Sequence, residues 1–438
     1  MIHDLMIEGK VVTTASINEV QIGIDDGIIT EIKKQGLRGE QKIEARHCLI
    51  FPGFIDLHAH LREDESQDWS YKEDFRSGAA AAIHGGVTTV VDMPNTPFPG
   101  INAARIRKKK ELAYKKAKGV IDFFFQGAVT ESGTAINTTG IADMQDEVVA
   151  YKMYLAETQG LSMRVERLPE AIDAVAATSK PLVIHCEDQN ILDERKAALK
   201  GCGADWTRKE IHSELRPEEA ELSAVKHVLA TSSAYPDIKI NIAHVSVYES
   251  LDIINRHKNV FCEVTPHHLF FNKTAVTPKT AFLKTNPPLR TEENRRLLLA
   301  AFKGGRIDFL VTDHAPHTKY EKALDILEAP AGVPNLDTYG NFVTWLIVRC
   351  EVHPVLISRV CAYNPATFLG LDDRGSIEVG KRANFSILDL HARVKISSAL
   401  LYTKCGWSPF EGYEFPGAVK HTIFNGAVVT EDDAVVQV

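Results

Sequence analysis

Eight short runs rich in β-branched, aliphatic and aromatic residues recur between positions 54 and 317 of this 438-residue chain. They are Phe54–His60, Val87–Asn95, Ile121–Val129, Val148–Leu155, Pro181–Asp188, Lys239–Ser246, Asn259–His268 and Ile307–His317. The stretches between them read mostly as helices: Lys72–His84, Ile101–Lys118, Met163–Thr178, Glu214–Thr231 and Glu292–Lys303. Only Glu131–Asp146, rich in Gly and Thr, predicts little helix. Strands alternating with helices predict a parallel sheet, and eight of them predict a closed α/β barrel of the TIM (β/α)8 type.

The two ends have another texture. Short alternating strands turn at Asp25-Asp26-Gly27, Gly380-Lys381 and Asn425-Gly426. This predicts a small β-sandwich domain built from both ends, residues 1–50 plus 376–438, flanking a barrel of residues 51–375. Hydrophobic residues at 44% and charged residues at 25% suit a large soluble core, which excludes disorder and a disulfide-stapled miniprotein. A net charge of −8 gives no general attraction to nucleic acid or anionic membranes, and the basic run Arg105–Lys110 reads as a solvated helix face. No uncharged apolar run approaches ~20 residues, and Met1-Ile2-His3-Asp4 lacks a signal layout. Seven scattered cysteines without C-x-x-C spacing suit reduced thiols. A cytoplasmic protein with no membrane or nucleic-acid partner is expected.

In such a barrel the chemistry sits where strands end. The first run ends Asp56-Leu57-His58-Ala59-His60-Leu61-Arg62. Period-2 alternation puts His58 and His60 on one face, roughly 6.6 Å apart along the strand, a spacing that lets two imidazoles hold one cation. The fifth run ends near His185, the sixth near His244 and the eighth at Thr312-Asp313-His314-Ala315-Pro316-His317. A lone histidine at a strand end is usually an ordinary polar residue. Four histidines and an aspartate converging on one mouth point instead to a metal site.

Lys152 lies inside the fourth run. Burying an unpaired ammonium there would cost roughly 4 to 7 kcal/mol, and facing a cation would be worse. Conversion of the amine to a carbamate by CO₂ removes the conflict and supplies two oxygens that can bridge two metals. Two divalent ions with the carbamate, Asp313 and a hydroxide would leave a net positive charge, which favours an anionic substrate.

These stretches resemble the amidohydrolase superfamily and, within it, the dihydroorotases of the longer, multi-motif type. The resemblance rests on residues 52–63 and on Met93-Pro94-Asn95-Thr96, His185-Cys186-Glu187-Asp188 and His244-Val245-Ser246. It continues through Glu263-Val264-Thr265-Pro266-His267-His268, Asn286-Pro287-Pro288-Leu289-Arg290 and Thr312–His317, so that it covers the whole barrel. It implies two Zn²⁺ per chain. His58, His60 and Asp313 would hold the more buried one, His185 and His244 the other, and carboxylated Lys152 would bridge them. Arg62, Asn95 and His317 would bind a substrate carboxylate, with Asn286 and the backbone near Gly332 on the ring. Arg62 suits this role because a planar fork matches a carboxylate.

The implied reaction is reversible cyclisation of N-carbamoyl-L-aspartate to L-dihydroorotate in de novo pyrimidine biosynthesis. A zinc-activated hydroxide would attack, with the catalytic residue Asp313 as general base and then acid. The loop Glu157-Thr158-Gln159-Gly160 would be a lid. A homodimer is the expected assembly.

Two departures stand out. Asp64-Glu65-Ser66 replaces the Pro-Gly that follows Arg-Glu in many bacterial members, within a longer insertion. Some relatives bridge with an aspartate, and Asp143 or Asp146 is available, though neither ends an apolar run. Two other functions compete. A hydantoinase or allantoinase acts on neutral rings and needs no carboxylate clamp; a metal-free scaffold would have broken ligands, and none is broken. His267-His268 reads as structural, Glu187 and Asp188 as supports for His185, His84 as a helix C-terminal residue, and Cys186 as facing away from the metal.

Overall fold

The structure of the protein, a computed structural model, describes residues 2–132, 135–276 and 281–436. Eight parallel strands follow one another around a barrel: β1 (Phe54–Ala59), β2 (Val87–Asp92), β3 (Asp122–Val129), β4 (Ala150–Tyr154), β5 (Leu182–His185), β6 (Ile240–Ile242), β7 (Val260–Val264) and β8 (Phe309–Leu310). A bridge between Ala59 and His314, with the His60 amide donating to the His314 carbonyl at 2.7 Å, joins the last strand to the first. Every residue of β1, β2, β4 and β5 is buried, as parallel strands covered on both faces require.

Alternation explains how the barrel carries its site. Ile55, Val91, Ala150, Val183 and Phe309 form an apolar floor with Phe368. Two residues beyond Ala150 and Val183, on the same strand faces, come Lys152 and His185.

The strands are shorter than the apolar runs, and side-chain chemistry shows why. The seventh run stops at Val264 because the Thr265 side chain caps a short helix, Pro266–Phe270, with proline in its first turn. His267 and His268 therefore sit on a helix. The helix expected from Lys72 begins at Phe75 (α1, Phe75–His84), where Asp74 and Ser77 form a capping box. Thr291 caps Glu292–Lys303, which coincides with the expected helix. The Gly- and Thr-rich third connection holds one short helix, Thr138–Asp143; residues 133 and 134 of it lie outside the described residues.

The chain ends meet in one eight-stranded sheet. Phe385–Asp389 pairs antiparallel with Gly39–Pro52, which joins the C-terminal strands to the N-terminal ones. Leu5, Ile22, Ile29, Ile50, Phe385 and Ile423 share its separate apolar cluster. Asp26 and Gly27, and Asn425 and Gly426, have φ between 48° and 79°, the left-handed pair that two-residue hairpins need. No helix among the described residues is long and apolar enough to cross a membrane, and all seven cysteines are free.

Candidate active site

A cavity of about 280 Å³ opens at the C-terminal ends of the barrel strands. His58, His60, His185, His244, Asp313, Arg62, Asn95, Asn286 and Gly332 all line it, joined by Tyr154 and the loop Glu157–Gln159. Lys152 is fully buried, and His317, also buried and not among the lining residues, lies with its Nε2 3.2 Å from Arg62 Nη2. Asp143 instead accepts the Ala103 amide, and Asp146 lines a different cavity of about 730 Å³.

The four imidazoles form a continuous chain. Ring centroids are 5.3 Å apart for His60 and His58, 5.2 Å for His58 and His244, and 4.7 Å for His244 and His185. Asp313 Oδ1 lies 3.2 Å from His60 Nε2 and 3.4 Å from His58 Nε2, and one ligand atom from each of the three lies within 4.8 Å of the others.

Neighbouring oxygens determine which nitrogens face the cavity. His58 Nδ1–H donates to Glu263 Oε1 at 2.5 Å, and His60 Nδ1–H donates to Asn95 Oδ1 at 2.8 Å. His185 Nε2–H donates to Glu187 Oε2 at 2.8 Å, which turns its Nδ1 toward His244 Nε2, 3.0 Å away. Lone pairs therefore point inward from three rings held by outer carbonyl or carboxylate groups, the usual support for metal-binding histidines. Against the cost of burial, Arg216 holds Glu187 well below the ordinary carboxylate range. Asp188 does not touch His185; it accepts the Asn190 amide and the Ser223 hydroxyl and caps the helix Gln189–Gly201.

Burial pulls Lys152 down to about 8, and its Nζ has no hydrogen-bond partner in the structure. Its charge acts on all four histidines. An orphaned buried amine among inward lone pairs fits a cation centre far better than an apolar core. Burial also raises the Asp313 pKa, with His58 and Lys152 opposing.

Four non-glycine residues around the mouth have left-handed backbone: Arg62 (φ 62°), Gln159 (φ 55°), His244 (φ 36°) and Asp313 (φ 42°). Such conformations cost about 1–3 kcal/mol each and persist where surrounding bonds over-determine them. The Leu61 amide donates to Asp92, the His244 amide to Glu263, and the Thr312 amide to Asp56. Burial lifts the Asp56 pKa to about 7 against its bonds to Thr312 and His58.

Reasoning from sequence missed Glu263, Asp56 and Asp92. Each is a single acid within an apolar strand, where an unpaired carboxylate would be costly, and that was the available signal. His267 and His268 meet Asn335, Thr265 and Pro287. The Cys186 thiol, pushed far up by burial, lies 3.6 Å from the Ile184 carbonyl.

A family model described as the amidohydrolase family matches residues 49–429. A curated dihydroorotase from Methanothermobacter thermautotrophicus is 34% identical over 419 residues, covering 95% of this chain and 92% of the relative. Another from Methanosarcina acetivorans is 33% identical, covering 96% and 90%. Among solved structures, L-hydantoinase from Arthrobacter aurescens superposes with a TM-score of 0.93 over 99% of this chain and 98% of its own, at 24% identity. That likeness establishes the fold alone.

Proposed function

The chain belongs to the amidohydrolase family, and from that membership we propose that it is a dihydroorotase, interconverting N-carbamoyl-L-aspartate and L-dihydroorotate. The observation that carries this reading is the adjacency of a donor pair, Arg62 and His317, to the His–Asp cluster: an anion clamp beside a cation centre. A neutral hydantoin ring would leave that clamp without a partner.

In this reading His58, His60 and Asp313 would hold one zinc ion, His185 and His244 would hold a second, and Lys152, carboxylated by CO₂, would supply an anionic ligand between them. The orphaned Lys152 Nζ supports the carbamate, because an anionic ligand removes a buried ammonium. When bound, the two ions supply Lewis acidity for the amide carbonyl and lower the pKa of water. Asp313 takes the proton from the attacking water and returns it to the departing ring nitrogen; cyclisation reverses both transfers. A carboxyl shifted upward by burial is apt for both roles. Arg62, Asn95 and His317 bind the substrate carboxylate, while Asn286, whose buried Oδ1 has no partner, and the Gly332 backbone meet the ring. Gln159 Oε1 accepts from Asn95 Nδ2 at 2.8 Å, which holds the loop Glu157–Gly160 beside the carboxylate end, where it would act as a lid against water.

The test is a substrate panel on zinc-loaded protein: L-dihydroorotate, N-carbamoyl-L-aspartate, hydantoin and allantoin. Turnover of the first two is expected. Preference for hydantoin or allantoin would overturn the reading.

A further inference from the structure

The insertion after Arg62-Glu63 places a second cation behind the anion clamp. Lys72, 6% exposed, reaches Nδ1 of His317 at 3.3 Å and Glu321 Oε1 at 2.7 Å. Its ammonium lies 5.1 Å from the Trp69 ring centroid, and the Tyr71 hydroxyl donates to the same Glu321 oxygen at 3.0 Å. The His317 backbone is held too, because the Trp407 indole N–H donates to its carbonyl at 2.7 Å.

A lysine ammonium has donors only, so a hydrogen bond between Lys72 and His317 requires Nδ1 to offer its lone pair. The proton of the neutral ring then sits on Nε2, where the Ala331 carbonyl accepts it at 3.1 Å. Nε2 also lies 3.2 Å from Arg62 Nη2, and a guanidinium likewise has no acceptor. In this tautomer the Nε2–H is satisfied by the Ala331 carbonyl, whereas the Arg62 Nη2 donor that approaches the same nitrogen finds no lone pair there. Burial, then Arg62, Lys72 and Lys322, push the ring's pKa far down, which disfavours a second proton. An anion at this point would accept from Arg62 Nη2 and share the Nε2–H with the Ala331 carbonyl.

We propose that Lys72 is a positioning residue for the substrate, holding His317 in its Nε2–H tautomer so that His317 and Arg62 present two donors to one carboxylate. This rests on the dihydroorotase reading for the identity of the anion, but the tautomer is a property of the resting enzyme. A ring in the other tautomer would offer Arg62 a lone pair, satisfy it internally and compete with substrate.

The experiment pairs ¹⁵N spectra of His317, assigned with a His317→Asn variant, with kinetics of Lys72→Met and Lys72→Gln. In the wild-type protein Nδ1 is expected unprotonated and Nε2 protonated. Lys72→Met should shift the ring toward Nδ1–H and raise KM for L-dihydroorotate roughly 10- to 100-fold, with a smaller change in kcat, since one charge-assisted bond is lost. Turnover of 5,6-dihydrouracil, the same ring without the carboxylate, should change less than threefold. Lys72→Gln, which keeps a neutral donor, should recover part of both effects. An unchanged tautomer in Lys72→Met, or equal losses on both substrates, would overturn the proposal. Absence of wild-type activity on L-dihydroorotate with the Nε2–H tautomer intact would instead sink the functional reading.

Discussion

Glu263 Oε1, on β7, lies 2.5 Å from Nδ1 of His58, on β1, and links two strands that are not neighbours in the barrel. The same carboxylate accepts the His244 amide and the Asn241 side chain, so one buried acid holds the His58 ring and the His244 backbone. Glu263→Gln should retain the fold and weaken zinc binding about 10- to 100-fold, as loss of an outer-shell partner does. Competition with a chromophoric chelator measures this; unchanged affinity would remove Glu263 from the centre's support.

Lys152→Ala should abolish most activity and lower the metal content of the purified protein, with partial rescue by short carboxylic acids that occupy the vacated space. A carbamate signal in ¹³C spectra after ¹³CO₂ exposure should appear in the wild type and vanish in the variant. Full activity of the variant would eliminate the bridging role.

Asp313→Asn leaves an oxygen near both imidazoles but removes the proton carrier. Metal content should largely survive while kcat falls by roughly 10²- to 10⁴-fold. Wild-type turnover would mean that another group moves the proton.

His84 ends α1 between Asp337, 3.0 Å from Nδ1, and Asp433, 3.3 Å from Nε2. Burial opposes its charge, but the two carboxylates outweigh burial and raise its pKa from 6.5 to about 9. Its stabilisation is therefore complete below about pH 6.5 and is lost as pH rises through about 9. His84→Gln should cost roughly 1–3 kcal/mol at pH 6 and much less above pH 10, read by urea unfolding. A pH-independent difference would show that the charge does not matter.

Gly332 has φ +136°, and a Cβ there would lie 2.5 Å from the Ala315 carbonyl oxygen. Its own carbonyl is held by the buried Lys322 ammonium, which also binds the Pro330 and Lys284 carbonyls, tying two walls of the cavity together. Gly332→Ala should displace this wall and raise KM at least roughly tenfold, because close backbone approach and positive φ both exclude a side chain. Unaltered KM would mean that the wall does not contact the ring.

The barrel was legible because eight strand-like runs recur with helical stretches between most of them, a local property of the chain. Strand ends were less so: the eighth run extends to His317, but regular strand ends at Leu310, and Asp313 follows in left-handed backbone. The histidines, Asp313 and Lys152 could be picked out because polar residues interrupting apolar runs are conspicuous. Their partners could not: Glu263 is 205 positions from His58, and Lys72 is 245 from His317.

Sequence alone therefore determined the architecture and the kinds of ligand available, since periodicity and residue type are written along the chain. Tertiary structure alone decided which nitrogen of each imidazole faces inward and which cations stand behind the anion clamp. Those choices are hydrogen bonds between segments distant in sequence, and only closure of the barrel brings their donors and acceptors within reach.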